Sequence, residues 1–269
     1  MTKTLRFMFL GDVVGVPGLN IFQKFVSKLK EQYKIDAIIT NGENAAKNGK
    51  GLNEKIMEFF KHNGVSVVTS GNHIWQHKDF YTYLNNNSDI IRPANFPSGC
   101  PGKGYTFFEV ENTPVAVINL QGRVFMHENL DCPFRTIDSI LPFLQSKAKI
   151  IFVDFHAEAT SEKEALGFYL DGRVSGFFGT HTHVQTADER ILPNSTAYIS
   201  DLGFCGALNA VLGTTKDIVI KRFLTQMPIH FVVEKEGTLA LNGIWVEIDT
   251  DSGKALKIER INIVDESGD

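Results

Sequence analysis

The sequence is poor in cysteine and contains no long hydrophobic run. Its three cysteines, Cys100, Cys132 and Cys205, are odd in number, widely spaced and without a C-x-x-C pair. This usage argues against a disulfide framework and is typical of a reducing cytosol. No apolar stretch has the length needed to span a membrane, and the short apolar run before Gly11 ends too early for a signal peptide. These absences predict a cytoplasmic protein with no membrane partner.

An excess of basic charge is also absent. The 27 Lys and Arg residues are outnumbered by 31 Asp and Glu residues, which gives a net charge of −4. Broad electrostatic binding to nucleic acid favours a basic face, so we expect no stable nucleic-acid partner. With 269 residues, 43% of them hydrophobic, the chain is long enough to bury a sizeable core. No linker or internal repeat marks a boundary, so the sequence predicts one domain spanning residues 1–269.

What the sequence does contain is an alternation of apolar strands and amphipathic helices. Strands are predicted at 5–10, 36–40, 65–69, 149–155 and 174–179. Helices are predicted at 19–33, 53–62, 134–147 and 161–170. Asn53 is a candidate N-cap, and Ser161 and Glu164 have capping-box spacing. The alternation predicts an α/β fold with a parallel sheet, and we expect a hairpin at 105–120 and alternating strands at 228–264 to form a second sheet.

Polar side chains follow the predicted strands where each one ends. The carboxyl ends of parallel strands line one ligand crevice. We therefore expect eight side chains to lie close together there: Asp12, Glu43, Asn44, Asn72, His73, His156, His181 and His183. His181 and His183 form an H-x-H turn, and residues two apart on an extended segment point to the same side. The other histidines, His62, His77, His127 and His230, have no comparable context.

This set mixes carboxylate and amide oxygens with imidazole nitrogens and includes no thiolate. Such ligands suit Mn, Fe or Zn better than Ca, which prefers oxygen alone. They are too many for one ion, so the pattern predicts two ions bridged by a carboxylate. Two ions roughly 3.5–4 Å apart bind phosphate oxygens and lower the pKa of a bound water, which predicts phosphoryl transfer. His73, beside Asn72, is then placed to protonate the leaving oxygen.

Each candidate has a structural alternative. Asp12 and Asn72 would also serve as helix caps, Glu43 and Asn44 as a turn, and His156 as a core histidine bonded to backbone. For the whole chain, one alternative is a regulatory protein whose metal site senses a nucleotide without important turnover. The presence of His73 argues against it, because a binder needs no proton donor. A second alternative is an NAD or FAD protein, but GDVVGVPG lacks the G-x-G-x-x-G spacing.

Several segments resemble a known protein family. The order GD, GEN, GNH, H and GTHTH is similar to the calcineurin-like metallophosphoesterases. Longer segments, such as TNGENAAKNGKG and DGRVSGFFGTHTHVQTADERILP, resemble the YmdB-like branch of bacterial phosphodiesterases, from about Phe7 to about Gly213. The wider superfamily opens with D-x-H, whereas this chain has Asp12–Val13–Val14, and Glu43 replaces the usual bridging Asp. Both departures are typical of the YmdB-like branch.

The resemblance implies a four-layer α/β/β/α double β-sandwich flanked by helices, with two metal ions at one edge. It implies a phosphodiesterase that hydrolyses cyclic nucleotides, 2′,3′-cyclic AMP above all, by attack of a metal-bound hydroxide on phosphorus. Iron is the implied metal and manganese the alternative. The oligomeric state stays open, and a homo-oligomer is compatible with the sequence.

The same resemblance assigns a role to each site residue. One ion would be held by Asp12, Glu43, Asn44 and His183. The other would be held by Asn72, His156 and His181, with Glu43 bridging the two. His73 would protonate the leaving group.

Overall fold

A computed structural model describes residues 3–267 of the chain. Within this range the strands are β1 (Thr4–Leu10), β2 (Asp12–Val13), β3 (Ala37–Asn41), β4 (Val65–Thr69), β5 (Tyr105–Val110), β6 (Thr113–Gln121), β7 (Ile150–His156), β8 (Gly176–Thr180), β9 (Arg190–Ile191), β10 (Ala197–Ile199), β11 (Phe204–Ala207), β12 (Leu239–Asp249) and β13 (Ala255–Asp265). The α-helices are α1 (Gly15–Tyr33), α2 (Glu54–His62), α3 (Tyr81–Asn86), α4 (Pro133–Gln145), α5 (Thr160–Leu170) and α6 (Lys216–Thr225). None of the helices in residues 3–267 is both long and apolar enough to cross a membrane.

The strands form two mixed sheets. The first has the order β2-β11-β12-β1-β3-β4, with β13 paired to β12. In it β1, β3 and β4 run parallel, while β12 is antiparallel to both β1 and β13. The second sheet has the order β5-β6-β7-β8-β10-β9, and β6, β7, β8 and β10 run parallel. The five strands that the alternating pattern predicted are present as β1, β3, β4, β7 and β8, but they are divided between the two sheets instead of forming one parallel sheet. The parallel strands β6 and β10 were not part of that pattern.

Three apolar clusters show how the layers stack. One joins α1 and α2 to the outer face of the first sheet, one fills the space between the sheets, and one joins α4 and α5 to the second sheet. The middle layer contains four fully or almost fully buried rings, Phe7, Phe9, Phe152 and Phe178, with Phe9 and Phe178 centred 4.5 Å apart. The order is therefore α/β/β/α, and the four-layer expectation is confirmed.

The predicted second sheet of hairpin plus tail is wrong. The hairpin β5–β6 joins β7 and β8 in the second sheet, whereas the tail strand β12 pairs with β1 in the first. Alternation along a strand tells which residues are buried, but it does not tell which strand lies alongside. The tail also has fewer strands than expected, because within 228–238 only an isolated bridge at Val233 is present.

Two helix starts differ from the prediction. Helix α1 begins at Gly15 rather than at residue 19, with Pro17 in its first turn, where no backbone donor is needed. Helix α5 begins at Thr160 without a side-chain cap, so the capping box is wrong; Glu164 instead contacts Arg190 at 3.3 Å. The predicted cap of α2 is confirmed, because the Asn53 side chain accepts a hydrogen bond from the Ile56 amide at 3.1 Å.

We expect substitutions in the apolar layer between the sheets to destabilise the fold most. Phe152 is completely buried and its ring contacts Phe7 and Phe9 at centroid distances of 4.8 Å. Phe152→Ala leaves a cavity between two sheets that cannot collapse freely, so we expect a loss of about 3–5 kcal/mol in the free energy of unfolding. Urea denaturation measures it, with Phe223→Ala, whose ring is 73% exposed, as the control. Equal losses in both variants would contradict the layered core.

Candidate metal centre

Three of the predicted ligands meet at the edge where β3, β7 and β8 end. Glu43, His156 and His181 each offer one ligand atom, and these atoms lie within 4.8 Å of one another. Nε2 of His156 is 3.1 Å from Oε1 of Glu43 and 3.0 Å from Nδ1 of His181. Both Glu43 and His156 are buried, while His181 is partly exposed. The group has the chemistry and the spacing of a metal site.

Asp12 lies at the same edge and is fully buried. Its Oδ2 accepts a hydrogen bond from the His181 amide at 3.1 Å. Its Oδ1 lies 3.8 Å from Nε2 of His183 and 3.9 Å from Nδ1 of His156. Asp12 is no helix cap, since the N-cap of α1 is Val14 and has no side-chain bond. The carboxylate therefore connects the loop after β1 to all three histidines.

His73 and Asn44 flank Glu43 on its other side. The His73 amide donates to Oε2 of Glu43 at 3.2 Å, and the ring Nδ1 lies 3.3 Å from Oε1. The same Nδ1 is 3.2 Å from Nδ2 of Asn44, which donates to the Gly49 carbonyl at 2.9 Å. Asn72 caps no helix, and it follows Gly71 in the turn after β4. All eight predicted residues thus lie at or just after strand ends on the same side of the sandwich, some on the first sheet and some on the second. Within residues 3–267, the Asn72 side-chain oxygen accepts no hydrogen bond from the cluster.

Buried oxygens without hydrogen-bond partners test whether this site suits cations. Within residues 3–267, Oδ1 of Asp12, Oδ1 of Asn44 and Oδ1 of Asn72 are all buried and accept no hydrogen bond. Buried polar atoms are almost always paired, so each exception needs an explanation. Metal ions bound there would satisfy all three acceptor oxygens beside the cluster of imidazoles. The residues present therefore fit a metal centre, and the mixed N/O donor set suits a transition metal.

The ring of His156 is oriented by a chain of hydrogen bonds. Oγ1 of Thr180 donates to Oδ1 of Asp154 at 2.7 Å, so it accepts from Nδ1 of His156, which lies 3.0 Å away. The Nδ1 proton leaves Nε2 free to bind a cation, as expected of metal-ligating histidines with a fixed tautomer. The ring makes these contacts with side chains, so it is not a core histidine satisfied by backbone.

The other two histidines are oriented in the same manner. Nε2 of His181 lies 3.2 Å from Oε2 of Glu158, which leaves Nδ1 directed at His156 and Glu43. Nδ1 of His183 lies 3.2 Å from the carbonyl of Leu212, which leaves Nε2 directed at Asp12. In every case one nitrogen is held by an acceptor outside the cluster and the other faces into it.

Asp154 was missed as a functional residue, although the sequence carries a signal for it. It is the one charged residue within β7 before His156, and it lies two positions earlier on the same strand face. Its carboxylate accepts hydrogen bonds from Thr180 of the second sheet and from Asn41 and Thr69 of the first. Burial raises the pKa of Asp154 to about 6. The group ties the two sheets together beneath the candidate site.

The H-x-H turn has its own support, which the sequence did not reveal. His181 and His183 have φ values of 100° and 61°, a region that non-glycine residues rarely adopt. Oδ2 of Asp201 accepts hydrogen bonds from the amide and the hydroxyl of Thr182 at 3.1 and 2.8 Å. The buried Lys163 of α5 neutralises Asp201 at 2.7 Å. The ion pair holds the strained turn between the two histidines.

Gly71 allows the loop after β4 to approach His156 and Glu43 closely. A Cβ atom added there would lie 2.2 Å from Cδ2 of His156 and 2.3 Å from Oε2 of Glu43. Any side chain would collide with both groups. Because Gly71 has no side chain, the backbone that carries Asn72 and His73 can pack directly against the cluster.

Burial and neighbouring charges shift the pKa values of the clustered groups in different directions. Burial raises the pKa of Asp12 above its ordinary value. Burial acts the same way on Glu43, but His156 and His73 outweigh it and hold the pKa of Glu43 well below its usual range. Burial disfavours a charged His156, yet the Glu43 carboxylate raises its pKa to about 9. Burial and the charge of His156 lower the pKa of His181 to about 3. A cation bound between Glu43 and His156 would displace the proton they share.

Comparison with known proteins gives this site a family context. The family model described as YmdB-like protein matches residues 8–261. A 2′,3′-cyclic-nucleotide 2′-phosphodiesterase from Bacillus subtilis (strain 168) is 49% identical over 262 residues, which cover 97% of this chain and 98% of that protein. The chain belongs to the YmdB-like family. The family expectation is thereby confirmed.

Solved structures support the same conclusion. A crystal structure described as a novel phosphatase from Mycoplasma pneumoniae has a TM-score of 0.93 and 38% identity, covering 99% of this chain and 95% of that one. A putative 5′-nucleotidase from Staphylococcus aureus has a TM-score of 0.60 at 16% identity, covering 98% of this chain and 55% of that one; it shows the shared fold. The YmdB-like chain is thus a phosphoesterase with a metallophosphoesterase-type fold, as predicted.

The position of Glu158 generates a test of the candidate metal centre. We expect Glu158→Gln to weaken metal affinity about 10- to 100-fold, because the acceptor that orients His181 loses its charge. Titration of the metal-free protein with Mn²⁺, followed by calorimetry, measures the affinity. Glu58→Gln, at an exposed position on α2, is the matched control. Unchanged affinity in Glu158→Gln would show that this carboxylate plays no part in holding the ring.

Proposed function

We propose that this YmdB-like phosphoesterase hydrolyses 2′,3′-cyclic nucleotides, 2′,3′-cyclic AMP foremost, at a centre of two metal ions. Water adds to phosphorus, the bond from phosphorus to O2′ breaks, and the ribose oxygen takes up a proton to leave a 3′-phosphate. The relative from Bacillus subtilis, named for this activity, supports the reaction. The observation that carries the proposal is the set of three buried, unpaired oxygens on Asp12, Asn44 and Asn72 around the histidine cluster.

The metal ligands proposed are those that the family resemblance implied. One ion would be held by Asp12, Glu43, Asn44 and His183, and the other by Glu43, Asn72, His156 and His181. When bound, the ions supply positive charge that neutralises phosphoryl oxygens and lowers the pKa of a water. Iron is our first choice and manganese the second, since an N/O ligand set accepts both.

His73 is proposed to donate the proton to O2′. Its ring is 23% exposed and lines a cavity of about 610 Å³ that also contacts Asn44 and His183. Its Nδ1 faces Glu43 and Asn44, which fixes the orientation of the ring. Among the described residues no hydrogen bond occupies Nε2, so that nitrogen can face the substrate. A general acid needs this combination of a fixed ring and access to the leaving oxygen.

The cavity beside His73 has the size and lining of a nucleotide site. Its volume falls within the roughly 300–1,000 Å³ typical of small-molecule pockets. Leu212, Ile229 and Phe231 supply apolar surface for a base, and Lys50 and Gln76 supply polar groups for ribose and phosphate. The substrate would thus rest between the metal centre and the segment 229–233.

Hydrolysis of 2′,3′-cyclic AMP, measured together with the metal content of the same sample, tests the proposal. We expect turnover with about two transition-metal ions per chain. Glu43→Gln and His183→Ala should each abolish detectable turnover and lower the metal content, while circular dichroism shows an intact fold. Near-normal activity in either variant would refute the two-metal centre. A metal-loaded wild type that hydrolyses no cyclic nucleotide, bis-ester or monoester would favour the regulatory binding protein instead.

The role of His73 has a separate test. We expect His73→Ala to lower kcat on 2′,3′-cyclic AMP by roughly 10²-fold or more, the usual contribution of a general acid. The metal content should stay unchanged. The loss should be much smaller on bis(4-nitrophenyl) phosphate, whose leaving group departs without a proton. An equal loss on both substrates would show that His73 acts in some way other than proton donation.

A further inference from the structure

The cavity at the metal centre continues into a second one. The outer cavity, about 440 Å³, shares Asn48, His230, Phe231 and Val233 with the inner cavity. Its walls are the loop 46–48 and the segment 230–235. The walls touch at their base, because Val233 occupies the space that a side chain on Gly49 would fill. Together the two cavities make a groove that leads from His73 to the protein surface, and we call it the basic groove.

The charge of the basic groove is opposite to that of the whole chain. Lys50 lines the inner cavity, and Lys47 and Lys235 line the outer one. Within the described residues, neither cavity is lined by a carboxylate side chain. The net charge of the chain is −4, so three lysines along one channel are a local concentration of positive charge. Such a channel favours a ligand that carries several negative charges along its length.

An aromatic side chain lies between the lysines. Phe231 contacts both cavities and is 45% exposed, and its neighbour Val232 is 41% exposed. The segment is fixed by backbone hydrogen bonds from Thr215 to Val232 and from Glu234 to Gly213, both 2.9 Å long. An anchored, accessible ring in a basic channel is the arrangement on which bases of single-stranded nucleic acids stack.

The chemistry of the proposed reaction indicates that a polymer in the basic groove would be RNA rather than DNA. A 2′,3′-cyclic phosphate closes on the last ribose of a strand and requires a 2′-hydroxyl, which RNA has and DNA lacks. With that phosphate at the metal centre, the remaining nucleotides must leave from O5′ of the same ribose. The basic groove is the open path that adjoins His73.

We propose that the basic groove binds single-stranded RNA on the 5′ side of a terminal 2′,3′-cyclic phosphate, so that the substrates include the 3′ ends of RNA oligonucleotides. The inference rests on the proposed hydrolysis of 2′,3′-cyclic nucleotides. The terminal nucleotide occupies the inner cavity, and the preceding phosphates lie along Lys47 and Lys235. The reacting bonds are the same as in the mononucleotide, and the product is an RNA with a 3′-phosphate.

The test compares two substrates on the metal-loaded full chain: 2′,3′-cyclic AMP and pentaadenylate ending in a 2′,3′-cyclic phosphate. We expect kcat/KM to be about tenfold higher for the oligonucleotide, from stacking and phosphate contacts. Lys47→Ala/Lys235→Ala should remove most of this advantage and leave the mononucleotide unaffected. It should also reduce the slope of log kcat/KM against log salt by about 1 to 1.5. Lys28→Ala/Lys147→Ala, which changes two exposed lysines elsewhere, should alter neither substrate.

A binding measurement separates this inference from the proposed function. Fluorescence anisotropy with 5′-fluorescein pentaadenylate carrying a 3′-phosphate requires no turnover. We expect it to bind the wild type and to bind Lys47→Ala/Lys235→Ala about tenfold more weakly. Turnover of the mononucleotide without any gain from the oligonucleotide, or equal probe binding by both double variants, would overturn the basic groove and leave the phosphodiesterase standing. Probe binding through these lysines without turnover of either substrate would refute the proposed hydrolysis, and with it RNA as a substrate, and would leave only RNA binding by the basic groove.

Discussion

One buried carboxylate ties the two halves of this fold together. Asp154 follows Ile150 and Phe152 on one face of β7. Its carboxylate accepts hydrogen bonds from Thr180 on its own sheet and from Asn41 and Thr69 on the facing sheet. The packing of the aromatic layer below it is non-directional, so it sets the separation of the sheets but not their relative orientation. Hydrogen bonds are directional, so Asp154 fixes how the strand ends of one sheet face those of the other. The candidate metal centre is built from both sets of strand ends.

This arrangement explains why the site tolerates so much buried polarity. Each histidine has one nitrogen occupied by Thr180, Glu158 or the Leu212 carbonyl, and the other directed inward. The strained H-x-H turn is held by Asp201 and Lys163, which lie outside the cluster. The supporting groups are thus satisfied, and the unpaired atoms are concentrated on the inner side. A site organised in this way is preorganised for cations, which lowers the free-energy cost of binding them.

Sequence patterns could predict the strand ends, and hence the residues gathered at the edge, because periodicity and turn residues are local signals. They could not predict that β12 pairs with β1, since the two strands are more than two hundred residues apart in the chain and burial alone does not select a neighbour. Glu158 and Asp201 were missed for a related reason. Their importance comes from contacts with His181 and Thr182, and nothing in their immediate sequence distinguishes them from ordinary surface or turn acids. The identity of the ligands around each ion remains a prediction.

The segment 229–235 belongs to neither sheet and is anchored by only a few backbone hydrogen bonds and by the contact of Val233 with Gly49. The groups that hold the proposed ions, by contrast, stand on or directly after strands. Substitutions in this segment can therefore reshape the approach to the centre with little effect on the stability of the sandwich. Evolution can then vary what the enzyme accepts while the chemistry stays constant, so relatives that share the eight edge residues need not share a substrate.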